Sequence, residues 1–182
     1  MREVIRIAIF GTESTGKTSL TERLALHFAA PWSREFAREF WDTHAGRITA
    51  QDLDAIGRGQ MANEERAAAA ADRVVFCDTE LITCTLWNDL LFPGACPAWV
   101  RQQAEERARR FALYLLCDAD VEFVADPQRC FPDASARKEA NLNWRHALVA
   151  RGLTFVEIRG GWPERERTAI TAVEKVLRGG AE

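Results

Sequence analysis

The amino-acid sequence predicts an α/β fold, a doubly wound parallel sheet of five strands with helices on both faces. Short apolar and β-branched runs alternate along the chain with helical patterns of ten or more residues, an alternation typical of parallel sheets. The chain has 182 residues, 47% hydrophobic and 28% charged, which is enough to bury a core. We therefore expect a single domain spanning residues 1–182.

Five segments have the composition of strands. The first, VIRIAIF, is apolar and stops at Gly11, whereas RVVFC is closed by Asp78. A brief extended segment begins at Pro31 and turns helical after Ser33. The predicted strands cover residues 4–10, 31–33, 73–77, 112–117 and 153–160.

Helical spacing of apolar residues fills the segments between these strands. Leu20, Leu24 and Phe28 repeat at intervals of four, and Thr49 with Asp52 gives the alanine-rich segment a start typical of a helix cap. The predicted helices cover residues 17–29, a segment after residue 33, and residues 49–72, 79–92, 97–111, 137–152 and 163–180. A proline-containing stretch without clear periodicity, about residues 119–137, is interpreted as a short lid.

Charge and composition exclude several classes of protein. The formal net charge is −3, which argues against a protein that coats nucleic acid. No apolar run reaches membrane-spanning length and the first residues lack a secretory pattern, so we expect a cytoplasmic protein without a membrane partner. The five cysteines are odd in number and lack C-x-x-C spacing, which favours reduced thiols. The sequence does not indicate an oligomeric state.

Residues 11–18, GTESTGKT, fit the pattern G-x-x-x-x-G-K-[ST] between a predicted strand and a predicted helix. Glycines let the backbone curl so that its N–H groups face phosphate oxygens, and the helix presents its positive end to the same anion. Lys17 adds a charge for the outer phosphates and Thr18 a hydroxyl for Mg²⁺. We expect ATP and Mg²⁺ as cofactors. The expected phosphate-binding residues are Gly11, Glu13, Ser14, Thr15, Gly16, Lys17, Thr18 and Ser19.

The end of the third strand carries the next candidate group. Asp78 should lie beside the phosphate-binding loop, where its carboxylate can join the Mg²⁺ shell, accept a proton from a substrate hydroxyl, or do both. Glu80 is a further acceptor-side candidate. Thr79 stands where many ATP-hydrolysing motors place a glutamate, and no N-K-x-D stretch that would bind guanine is present. These two features favour phosphoryl transfer to a small acceptor.

Two other segments carry candidate residues. Arg129 and Arg137, at the lid, are expected to neutralise charge on the transferring group, although a solvated helix face is the alternative. In SREFAREFW, residues 33–41, Arg34 and Glu35 are expected to face the ligand crevice, while aromatic rings there can equally pack as an amphipathic helix. Trp87 follows the Asp78 strand and is the tryptophan expected nearest the acceptor.

Together these segments resemble the ribosylnicotinamide kinase domain of NadR-type proteins, within the small NadR-like P-loop ATPases. The segments concerned are GTESTGKT, SREF, VVFCDTE and FVADPQR followed by RKE, in that order along the chain. The resemblance implies a P-loop kinase fold and ATP-dependent phosphorylation of the 5′-hydroxyl of nicotinamide riboside to nicotinamide mononucleotide. The alternatives are a kinase for another nucleoside or small metabolite and a non-catalytic nucleotide-dependent switch.

The resemblance also implies roles for individual residues. It places Asp78 near the acceptor hydroxyl or the metal, and Arg34, Glu35 and Asp126 on the acceptor side. It places Phe36 and Trp87 against the cationic pyridinium ring. The chain departs from the family pattern at Ser33, Phe36, Phe123 and Pro127, and these departures bear on the acceptor more than on the phosphoryl chemistry.

Overall fold

The computed structural model describes residues 4–122, 127, 130 and 133–179, and it has the predicted α/β architecture. Five parallel strands lie in the order β2-β3-β1-β4-β5. Their bounds are β1 Ile5–Phe10, β2 Trp32–Ser33, β3 Val74–Asp78, β4 Phe111–Cys117 and β5 Phe155–Ile158. The fold class and the five predicted strands are confirmed.

Helices follow the strands along the chain. Their bounds are α1 Lys17–His27, α2 Phe36–Thr43, α3 Leu53–Ala69, α4 Leu81–Leu91, α5 Ala98–Ala108, α6 Ala134–Ala150 and α7 Trp162–Gly179. A 3₁₀ turn at Ala50–Asp52 precedes α3, and the side chains and backbone of Thr49 and Asp52 form a reciprocal capping box there. Among the described residues, no helix is long and apolar enough to cross a membrane.

Most helix boundaries differ from the sequence prediction by a few residues, and two of the differences have a clear structural cause. Phe111, predicted as the last residue of a helix, begins β4, a strand whose residues are almost all buried, as the Phe111 side chain is. Helix α6 begins at Ala134, three residues earlier than predicted, because the Asp133 side chain accepts a hydrogen bond from the Ala136 amide and caps it. Arg137 therefore lies in the first turn of α6 and not in a loop.

The central strand β1 divides the core into two layers. Ala8 and Phe10 point into one cluster, where Phe10 and Tyr114 meet edge to face with ring centroids 5.5 Å apart. Ile7 and Ile9 point into the other cluster, which α1 and α7 cover. This alternation with a period of two leaves β1 buried on both faces, as expected for a central parallel strand. The ligand crevice of such a sheet lies at the carboxyl ends of its strands.

The five cysteines are free thiols, as the sequence predicts. Four of them are buried, and Cys130 is exposed. Among the residues that the structure describes, no group of histidine, cysteine and carboxylate side chains has the geometry of a metal site.

Candidate active site

The loop between β1 and α1 needs glycine at both of the positions that its motif specifies. Gly11 has φ 138°, and a Cβ there would lie 2.7 Å from the carbonyl oxygen of Cys117. Gly16 has φ 79°, and a Cβ there would lie 2.8 Å from the ring of Trp162. These left-handed conformations and close approaches let the loop wrap tightly in front of the N-terminus of α1.

Carbonyl groups of this loop are held by side chains. The Lys17 ammonium donates to the Thr12 carbonyl at 2.7 Å, and the Thr15 hydroxyl donates to the same oxygen at 2.9 Å. Arg137 donates to the Ser14 carbonyl at 3.5 Å. The loop is thus ordered by its own residues and by α6, and Lys17 lies inside the curl where an anion would be bound.

Thr18 and Asp78 meet at the junction of β1, β3 and α1. β3 pairs directly with β1, so Asp78 ends its strand beside Ile9, and the Thr18 hydroxyl donates to one Asp78 carboxylate oxygen at 2.6 Å. The other carboxylate oxygen is buried and has no hydrogen-bond partner among the described residues. A hydroxyl and a carboxylate are the hard oxygen ligands that Mg²⁺ prefers, so this pair fits the ion.

The environment of Asp78 perturbs its titration. Burial and, to a smaller extent, the nearby Glu35 carboxylate raise the pKa of Asp78 to about 6. The Lys17 ammonium and the Thr18 hydrogen bond lower the pKa but do not offset burial. Such a carboxylate is more basic than an exposed one, which suits a group that binds a cation or accepts a proton.

A cavity of about 350 Å³ joins the phosphate-binding loop to an aromatic and apolar wall. Glu13, Ser14, Thr15, Gly16, Lys17, Thr18 and Ser19 line it on the loop side. Outside the loop it is lined by Glu35, Ala37, Arg38, Trp41, Ile48, Leu53, Ile56, Thr83, Cys84, Trp87, Asn88, Leu91, Phe92, Pro127 and Cys130. The arrangement can therefore accommodate a phosphate chain at one end and a flat, largely apolar group at the other.

Of the acceptor-side candidates, some line the cavity in the structure and others do not. Glu35 and Trp87 line the cavity. Arg34 does not line it: this residue is exposed, with its guanidinium 5.5 Å from the ring centroid of Trp32. Phe36 packs instead on α3, since a Cβ added to Gly59 would lie 2.2 Å from its ring. The packing alternative for this aromatic segment therefore describes Phe36.

Glu80 caps a helix and does not line the cavity. Its carboxylate accepts hydrogen bonds from the Ile82 and Thr83 amides at 2.8 and 3.1 Å and is 1% exposed. Burial raises the pKa of Glu80 to about 8, and its two amide hydrogen bonds only partly oppose this shift. The side chain stabilises the start of α4, so we assign it a structural role in place of acceptor binding.

The raised pKa of Glu80 predicts a pH-dependent stability. The group ionises near 4.5 when unfolded and near 8 when folded, so its stabilising effect is complete below about pH 4.5 and is lost as the pH rises towards 8. The loss amounts to about 3–5 kcal/mol. Glu80→Gln removes the titration but leaves a single oxygen to cap two amides, which costs about 1 kcal/mol.

We therefore expect Glu80→Gln to be less stable than the original chain at pH 4 and more stable at pH 8, as measured by urea unfolding. Glu106→Gln, at an exposed position on α5, is the matched control and should leave the pH dependence unchanged. Identical pH dependence in Glu80→Gln and the original chain would show that Glu80 is ionised in the folded protein.

Of the candidate residues at the predicted lid, some lie outside the described part of the chain, whereas Arg137 lies within it. Asp126 and Arg129, together with the departure at Phe123, lie outside the described residues. Arg137 is 4% exposed and donates to the carbonyls of Ser14 and Val121, so it lies behind the loop and not over the cavity. Its early position in α6 explains this placement.

Several residues at the site carry no signal in the sequence. The Asn141 side-chain oxygen accepts from the Thr12 amide at 3.3 Å, and Arg165 donates to the Thr15 carbonyl at 3.2 Å. Gln60 accepts from the Phe36 amide and donates to the Thr79 carbonyl, so it joins the ends of β2 and β3. These contacts cross large sequence separations, and nothing in the local pattern distinguishes the residues from other helix positions.

Comparison with known proteins places the chain among P-loop NTPase folds. Two curated relatives are named "Trifunctional NAD biosynthesis/regulator protein NadR": that of Escherichia coli (strain K12) is 28% identical over 156 residues, and that of Salmonella typhimurium (strain LT2) is 27% identical over 157. Each match covers 84% of this chain but 37% or 38% of the relative. The chain thus spans less than two fifths of the length of these relatives.

Solved structures share the fold. A NadR protein in complex with NR matches with a TM-score of 0.74 and 24% identity, over 96% of this chain and 51% of that one. A deoxyadenosine kinase from M. mycoides matches with a TM-score of 0.65 and 10% identity, over 94% and 100% of the two chains. The profile of the AAA_28 family, described as an AAA domain, matches residues 6–165. Because this match covers most of the 182 residues, the chain belongs to the AAA_28 family of AAA domains.

Proposed function

We propose that this chain transfers the γ-phosphoryl group of ATP to a hydroxyl of a small nucleoside, and that the acceptor is nicotinamide riboside, which yields nicotinamide mononucleotide. The observation that carries the proposal is the cavity of about 350 Å³, which connects the phosphate-binding loop to an aromatic wall beside Glu35. The likeness to NadR proteins and to a deoxyadenosine kinase supports it. A single domain, residues 1–182 with a lid at about 119–137, carries both the phosphate side and the acceptor side of this proposed site.

On the phosphate side, the backbone amides of residues 13–18 and the Lys17 ammonium hold the β- and γ-phosphates of ATP. Lys17 exchanges its bond to the Thr12 carbonyl for bonds to phosphate oxygens. Thr18 and Asp78 hold Mg²⁺, which when bound neutralises charge on the phosphates. Arg129 closes over the transferring group, whereas Arg137 keeps the Ser14 carbonyl turned out of the site.

On the acceptor side, Asp78 positions the nucleoside hydroxyl and receives its proton. Burial is the main cause of its raised pKa, so its carboxylate is a better base than an exposed one near neutral pH. Asp126 is proposed to bind the acceptor sugar. The attacking oxygen then lies in line with the phosphate chain, and positioning supplies most of the rate enhancement.

The far wall suits a flat cationic ring. Trp41 and Trp87 offer aromatic faces, and Glu35 offers a carboxylate. A pyridinium is attracted both to the negative face of an indole and to a carboxylate. The Arg38 guanidinium on the same wall also suits a polar base, so another nucleoside is the second candidate acceptor.

A coupled ADP-release assay with Mg·ATP tests the proposal. The acceptors are nicotinamide riboside, the ordinary nucleosides and water alone. We expect rapid turnover with nicotinamide riboside and little above background with water. Turnover with another nucleoside alone would identify a different acceptor. Slow turnover indifferent to every acceptor would favour a nucleotide-dependent switch and overturn the kinase proposal.

A further inference from the structure

The guanidinium of Arg165, in the first turn of α7, joins three loops at the carboxyl edge of the sheet. It donates to the Gly160 carbonyl at 2.9 Å, to the Thr15 carbonyl at 3.2 Å and to the Asp118 carbonyl at 3.0 Å. These three carbonyls belong to the turn after β5, the phosphate-binding loop and the exit of β4. Arg165 itself is 1% exposed, so its charge is almost fully removed from water.

Asp120 compensates that buried charge. Its carboxylate forms an ion pair with Arg165, and its second oxygen accepts from the Gly160 amide at 2.7 Å. A buried cation is tolerated when it is paired and hydrogen-bonded; Arg165 is paired with Asp120 and donates three further hydrogen bonds to backbone carbonyls. The pair therefore closes a ring of contacts that connects the exits of β4 and β5.

The orientation of the Thr15 peptide explains why the contacts of Arg165 and Asp120 matter for nucleotide binding. A loop that binds phosphate must turn its amide N–H groups inward, and this requires its carbonyl groups to find partners outside the curl. The Thr12 carbonyl is held from within the loop by Lys17 and Thr15. The Thr15 carbonyl is held from the far end of the chain, by Arg165.

The same turn of α7 also touches the loop through an aromatic ring. Trp162 lies so close to Gly16 that a Cβ at Gly16 would come within 2.8 Å of it. The guanidinium of Arg23 on α1 lies 5.2 Å from the centroid of the Trp162 ring. The start of α7 is thus packed against both the loop and the helix that follows it.

We propose that Arg165, held by Asp120, is a positioning residue of the nucleotide site that fixes the Thr15 peptide in its phosphate-binding orientation. The inference rests on the proposed function only in taking a nucleoside triphosphate as the ligand of the loop. It does not depend on the acceptor. Arg165 does not line the cavity, and it acts through the backbone of residues 15 and 16.

The test compares two buried arginines by isothermal titration with Mg·ATP. Arg107, on α5, is 4% exposed and is bonded to Glu64 and Glu65 at 2.9 and 2.7 Å, away from the loop. We expect Arg165→Met to weaken Mg·ATP binding roughly 10- to 100-fold. Arg107→Met should change it less than about twofold, although both substitutions break a buried ion pair.

Two further variants cover the case in which Arg165→Met does not fold. Asp120→Asn keeps the arginine and its carbonyl contacts and should weaken Mg·ATP binding roughly threefold to tenfold. Arg165→Lys cannot reproduce three separately directed bonds, so it should bind Mg·ATP more weakly than the original chain while its KM for the acceptor stays unchanged.

The inference would be overturned if folded Arg165→Met, or both Asp120→Asn and Arg165→Lys, bound Mg·ATP at the original affinity. The Arg165–Asp120 pair would then have only a structural role. Binding without turnover in the original chain would overturn only the kinase proposal. No binding by the original chain would overturn both.

Discussion

Lys17→Ala is expected to abolish phosphoryl transfer to every acceptor, lowering kcat by roughly 1,000-fold or more. Lys17 is the cation that the structure places inside the curl of the phosphate-binding loop, where its ammonium now bonds the Thr12 carbonyl. Removing it takes away a full charge that would stabilise the transferring phosphoryl group. The coupled ADP-release assay at saturating Mg·ATP measures the effect directly.

The folded state should tolerate this change. The structure gives Lys17 a single hydrogen bond to the loop, and the Thr15 hydroxyl still holds the same carbonyl, so the expected loss of stability is about 1 kcal/mol. Lys175→Ala, at an exposed position of α7, is the control and should keep full activity. Undiminished turnover in Lys17→Ala would refute the assignment of the loop as the phosphate site.

Asp78→Asn is expected to lower kcat by roughly 100- to 10,000-fold while leaving the fold intact or more stable. The amide keeps an oxygen that can accept from the Thr18 hydroxyl, but it can neither take a proton nor offer a negative charge to Mg²⁺. Because burial raises the pKa of Asp78 to about 6, ionising the carboxylate in the folded protein is costly near neutral pH. A neutral amide does not ionise, so the folded variant does not incur this cost.

Activity and stability should therefore change in opposite directions. Urea unfolding at pH 8, paired with the kinase assay, measures both in one set of samples. Asp89→Asn, which removes an exposed ion pair with Arg101 on the surface, is the matched control and should alter neither quantity appreciably. A large loss of stability in Asp78→Asn would mean that the carboxylate is needed for folding, and a normal kcat would remove it from the mechanism.

The sequence was sufficient to predict the fold and the glycine-containing loop between β1 and α1, because both depend on local patterns. Apolar runs buried on both faces identify parallel strands, and the loop motif fixes its glycines, lysine and threonine over eight residues. Asp78 could be placed beside Thr18 because consecutive strand ends meet at one edge of the sheet.

The cavity residues outside this loop, and the residues that support the loop, were harder to predict from the sequence. Trp41, Leu53 and Ile56 line the cavity, but their helical spacing is equally typical of an ordinary core. Phe36 illustrates the opposite error, since a motif position suggested a ligand contact and its ring packs on Gly59. The supports of the loop, Asn141 and Arg165, were not predicted because their contacts depend on how distant helices dock.

The strand order has a consequence for how the chain is made. β1 pairs only with β3 and β4, in the register Ile5↔Val74 and Ile7↔Leu113, so the first strand has no neighbour nearby in the sequence. During synthesis the apolar segment IRIAIF stays unpaired until β3, residues 74–78, has been translated, and its other edge stays unpaired until β4, residues 111–117, follows. The loop at residues 11–18 is translated well before Arg165, whose guanidinium donates to its Thr15 carbonyl. Nucleotide binding by nascent chains would therefore report completed folding and would be absent from fragments that end before α7.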